Sequence, residues 1–167
     1  MATPTTLPAS FTASTVLPAA SLNNLRGAFR ILQVVQGTPY STLVSSSSTT
    51  YMDTGLTATI TCQNNTSKVL IIVQQTFSKN NGNASNAVKA QIVSGTTSIH
   101  VFQGAALYTG TAVDFVGPST SAVYLDNPTT TAAITYKTQF ANYNNSASVS
   151  AQTNGAVSTM TLLEISA

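Results

Sequence analysis

The chain has 167 residues, six basic and four acidic, with a formal net charge of +2 and 43% hydrophobic side chains. Only 6% are charged, against roughly 25% in an ordinary soluble domain, and Ser, Thr, Asn and Gln fill the polar positions. Such a composition excludes generic disorder, offers no field to steer nucleic acid or charged substrates, and favours association over repulsion.

Residues 1–28 stand apart. Pro4, Pro8 and Pro18 each remove a backbone donor, and apolar residues come singly, with neither helical nor strand period. Only 21–26 suggests a short helical turn. Six large apolar groups in a solvated tail need cover. The segment is therefore expected to be a docking arm, with Leu7, Phe11, Val16, Leu17 and Leu22 filling pockets on a neighbouring subunit; a loose tail is the plainer alternative. The start carries neither a basic n-region nor an apolar core, so no secretory signal is expected.

From Phe29 onward the reading is strand after strand, a single domain over 29–167. Residues 29–36 are rich in β-formers and end before Gly37 and Pro39. A shorter run covers 40–44. Over 56–62 the alternation is strict, with Leu56, Ala58, Ile60 and Cys62 on one face. Residues 68–77 include Val69-Leu70-Ile71-Ile72-Val73, too short for a bilayer and expected to be a fully buried strand. Asn80, Asn81 and Asn83 sit in a loop around Gly82. Strands over 87–93 and 97–102 flank a tight turn at Ser94-Gly95. Further strands are expected at 111–116, 121–125, 134–140 and 157–165. Large apolar groups occupy both faces of the last, which places it centrally or at a subunit interface, with Met160, Leu162 and Glu164 as the candidate subunit contacts. The sum is an all-β, antiparallel sandwich with an extended N-terminal arm.

Three stretches carry a family resemblance: Gly55–Ile60 leading into Thr66–Val73; Tyr124-Leu125-Asp126-Asn127-Pro128-Thr129-Thr130-Thr131 followed by Ile134–Lys137; and the terminal Ser158-Thr159-Met160-Thr161-Leu162-Leu163-Glu164-Ile165. In order and spacing, residues 55–167 resemble a β-sandwich domain of tailed-phage virion proteins, of the fibre-tip or head-decoration type. These domains are themselves similar to the trimeric jelly rolls of the tumour necrosis factor and complement type. The resemblance implies a virion-surface location, a homotrimer, and a major capsid protein or a tail or baseplate protein as partner. The segment before about residue 40 is short for a shaft, which suits a capsid decoration (cement) subunit or a short fibre.

Catalytic chemistry has little to stand on. His100 is the only histidine and Cys62 the only cysteine; both are expected to be structural, and no disulfide can form within the chain. The carboxylates Asp53, Asp114, Asp126 and Glu164 are scattered, a poor start for a glycosidase pair. Asp126 suits a turn residue, and Glu164 a salt bridge to Lys137 or across a trimer axis. No phosphate loop, zinc motif or redox pair is present, so no enzyme activity, cofactor, metal, nucleic acid or membrane insertion is expected. Tyr108, Tyr143, Asn144 and the Asn-rich loops form a candidate outer rim for a host surface glycan. Two placements follow: a trimeric decoration protein held by its arm, or a fibre tip recognising polysaccharide.

Overall fold

The computed structural model describes residues 16, 31–80, 86–111, 115–117, 119–144 and 147–166. The arm residues Leu7, Phe11, Leu17 and Leu22, the turn at 21–26, and Asn81, Asn83 and Asp114 lie outside the described residues; Val16 is described and fully open to solvent.

Among the described residues eleven strands run in chain order: β1 (Ile31–Gln36), β2 (Val44–Ser46), β3 (Met52–Thr61), β4 (Lys68–Asn80), β5 (Val88–Ser94), β6 (Thr97–Ala106), β7 (Phe115–Val116), β8 (Ser119–Asp126), β9 (Ala133–Asn142), β10 (Val149–Ala151) and β11 (Thr159–Ile165). They form two antiparallel sheets. In the first, long β4 is flanked by β11 and β10 on one side and by β8 and β7 on the other, with β1 and β2 outside β11 and β10. The second has the order β3-β9-β5-β6. The chain crosses between the sheets at β2–β3, β3–β4, β4–β5, β6–β7, β8–β9 and β9–β10, so that β1-β11-β4-β8 faces β3-β9-β5-β6, the strand order of a jelly roll.

Strict alternation puts Leu56, Ala58, Ile60 and Cys62 into the core from β3, as the sequence predicts, where they meet Val69, Ile71 and Val73 of β4 and Met160 and Leu162 of β11. A second cluster around Phe77, Phe140, Val88 and Val149 fills the other end. The apolar run of β4 departs from expectation. It is not buried on both sides: Ile72 is 40% exposed and Leu70 half-buried, because only one face of the sheet meets the opposite sheet. Tyr40 makes only an isolated bridge to Ser158 in place of a strand over 40–44. β10, three small buried residues in a Ser- and Ala-rich stretch, has no apolar run to announce it.

Gly55 sits where the β3–β9 register slips, between Asp53 and Thr57, with φ of 91°. A Cβ there would fall inside the ring of Tyr40. Gly55→Ala therefore combines a left-handed backbone with a steric overlap, and is expected to cost about 2–4 kcal/mol. Urea unfolding checks this; an unchanged midpoint would mean that Tyr40 is not held in place.

Candidate ligand groove and assembly face

β11 lies inside its sheet between β1 and β4, and its interior face carries Met160, Leu162 and Glu164, all fully buried within the chain. The proposed trimer contacts therefore point the wrong way: their side chains are already used by the core. What β11 leaves open is the opposite face, Leu163 and Ile165.

The register extends that face across four strands. Val34 of β1, Leu163 of β11, Leu70 of β4 and Leu125 of β8 form one cross-strand row. Ile72 and Val123 lie in the next row, beside Thr161, and Ile31 pairs with Ile165 at the margin. Val34, Val123 and Leu125 are 59%, 62% and 48% exposed. Lys68 is the charged residue these strands add to that face among the described residues. The sequence hides this surface, since an unbroken apolar run does not say which of its residues face out.

The second sheet presents the opposite character. Thr59 and Thr135 share a hydroxyl bond of 2.8 Å. Lys137 pairs with Asp53 at 2.9 Å, Gln139 donates to the same carboxylate, and Gln91 links Gln139 to Ser98. Burial alone would raise the Asp53 carboxyl, but Lys137 and Gln139 outweigh it and hold the group below its ordinary value. The second sheet thus faces outward mainly with hydrogen-bonding groups, Val101 being the exposed apolar exception, and the first carries its hydrocarbon at the Val34–Leu125 end, giving way to Gln36, Gln74 and Ser121.

Lys137 is consequently not the partner of Glu164. The buried Glu164 carboxylate accepts from Gln33 Nε2 at 2.6 Å and from the Gln63 backbone N–H at 2.8 Å. Burial pushes its carboxyl up, and hydrogen bonding to the carboxylate, led by Gln33, more than reverses the effect and leaves it below the usual range. Asp126, expected to bond its own turn, instead accepts from the Tyr136 hydroxyl at 2.7 Å. Burial, then this bond, raises the Tyr136 pKa. Cys62 is a core thiol whose pKa burial raises. His100 is half-buried and stacks on Tyr124, ring centroids 4.9 Å apart.

At one end of the sandwich the structure gathers Tyr108, Tyr143 and Asn144, with Ala105, around an open groove of about 520 Å³. The tyrosines are 59% and 52% exposed. Tyr143 is fixed where β9 ends: its N–H donates to the Ala87 carbonyl at 2.8 Å, and Asn142 Oδ1 accepts from the Asn144 N–H. Asn142 also donates to the Ala147 carbonyl. Tyr108 follows Leu107, whose φ is 69°. Next to it, Thr109 Oγ1 accepts from Lys79 Nζ and donates to the Thr111 carbonyl, each at 2.7 Å. Lys79 is fully buried, and desolvation lowers its pKa. Sequence alone gives no hint of that role, because Lys79 reads as one more scattered cation. Asn80 closes β4.

Compared with known proteins, the chain matches no family model and no curated protein sequence. Among solved structures it is similar to the VP2 subviral particle of infectious bursal disease virus, with a TM-score of 0.41 and 16% identity. That likeness covers 81% of this chain and 37% of the other, so this chain spans well under half of that protein's length.

Proposed function

We propose that this chain is a non-enzymatic structural subunit of a virion surface: a homotrimeric decoration protein that reaches the major capsid protein through residues 1–28. The observation that carries the reading is the hydrocarbon outer face of the first sheet. An apolar surface spanning four strands on a monomer marks a contact with another protein, and the partner proposed is a second copy of the chain. Near-zero net charge leaves little repulsion between copies. The polar outer face of the second sheet is the one left for solvent. The phage-type resemblance of residues 55–167 supplies the virion context.

The arm hydrophobes Leu7, Phe11, Val16, Leu17 and Leu22 are then the capsid contacts, at about 1.5–3 kcal/mol for each side chain fully buried. A short tail fibre or fibre tip, attached by the same arm to a tail or baseplate protein, is the second reading, favoured by the tyrosine groove. Copy number decides between them. Quantitative mass spectrometry of purified particles is expected to give a ratio near parity with the major capsid protein. A small-minority ratio would place the chain on the tail. On particles, a chain lacking residues 1–20 is expected to stay folded and trimeric but not to bind; unchanged decoration would refute the arm.

A further inference from the structure

We propose that the groove between Tyr108 and Tyr143 is a binding site for a neutral oligosaccharide. The inference concerns this groove alone and holds whether the chain sits on a head or a tail.

The chemistry of the lining selects the ligand. Two half-open aromatic rings offer flat faces with polar tips, which suit the C–H face of a pyranose ring and its hydroxyl edge together. Asn144 adds an amide, able both to donate and to accept. The described lining residues carry no charge, so they offer an acidic sugar, a phosphate or a cationic ligand no counter-charge. Ala105 is the one aliphatic lining residue described, and the groove is open to water, which argues against a lipid chain.

The supports of the two loops point the same way. Tyr143 and Asn144 are tied by the Ala87 carbonyl and by Asn142. The Tyr108 loop is tied through Thr109 to a buried lysine, although an ammonium is costly to bury. Loop backbone held in place before the ligand arrives loses little freedom on binding.

The test uses the full chain with neutral hexasaccharides of glucose, mannose, galactose and N-acetylglucosamine, each titrated by calorimetry. Uronic acid oligomers and a proline-rich peptide serve as competitors of other chemistry. At least one neutral oligosaccharide is expected to bind. Tyr108→Ala and Tyr143→Ala should each weaken it by about tenfold or more, a loss of 1.4 kcal/mol or more, while the Phe variants keep most of the affinity. Both positions are exposed, so thermal melting should be unchanged. Lys79→Met should weaken binding through the Tyr108 loop, and rescue by Lys79→Arg would separate this positioning role from simple loss of fold. Failure of all four neutral sugars, binding indifferent to both Tyr→Ala changes, or preference for the acidic oligomers or the peptide would each overturn the proposal.

Discussion

Replacing Glu164 with alanine is expected to destabilise the sandwich by about 3 kcal/mol, from two lost hydrogen bonds to a charged acceptor at about 1.5–3 kcal/mol each, less the part that water restores. The carboxylate joins three segments: β11, which carries it, β1 through Gln33, and the β3–β4 connection through Gln63. Glu164→Gln keeps one acceptor but turns an amide N–H₂ towards a donor, and should lie between. The pH dependence has a definite sign. The folded-state pKa lies below the ordinary carboxyl value of 4.5. The stabilisation is therefore complete above about pH 4.5 and is lost as pH falls through the depressed folded value. Asp53 has the same sign, but its carboxylate is half exposed and its pair with Lys137 worth about 0–1 kcal/mol. Urea midpoints at pH 7 and pH 3 should thus converge for Glu164→Ala relative to the parent chain. Equal stability at pH 7 would show that Gln33 and Gln63 are as well served by water.

On the outer face of the first sheet, the double change Val123→Glu with Leu125→Glu is expected to dissolve the assembly while leaving the subunit folded. Both side chains are about half exposed or more in the single chain, so the fold loses little. In a contact between copies, each would contribute about 1.5–3 kcal/mol. Their joint loss corresponds to about 10²–10⁴-fold in association, before any penalty for burying carboxylates. Sedimentation should show monomers. Thr59→Glu on the polar sheet is the control and should leave the oligomer intact. An unchanged oligomer in the double variant would move the contact elsewhere and remove the main support for the assembly reading.

Much of the fold is legible in the sequence because alternation survives wherever one face meets water. Leu56, Ala58, Ile60 and Cys62 could be read as one face because threonines separate them. The run from Val69 to Val73 could not, since hydrocarbon on both sides of a strand has the same pattern whether the outer side meets a second layer or a second subunit. The same ambiguity explains the last strand: Met160 and Leu162 are chemically indistinguishable from Leu163 and Ile165, and only the register against β4 tells which pair is inside. Glu164 shows a different limit. Its partners, Gln33 and Gln63, are neutral and far away in sequence, so a search for an opposite charge leads to Lys137, which Asp53 already holds. Tyr108 and Tyr143 can be noted as candidates from composition. Their convergence depends on where β6 and β9 end, which local pattern does not encode, and the buried Lys79 beneath Thr109 follows from the same tertiary placement.

The pairing of β1 with β11 sets a timetable for the molecule. Val34 and Leu163 stand side by side although almost the whole domain lies between them in sequence. Such long-range pairings form late, because the loop they close must be ordered first. The hydrocarbon row of Val34, Leu163, Leu70 and Leu125 therefore exists only once β11 has paired with both β1 and β4. Association through that row is gated by completion of the fold. Half-made chains, although sticky in other ways, lack the surface on which copies of this protein would recognise one another.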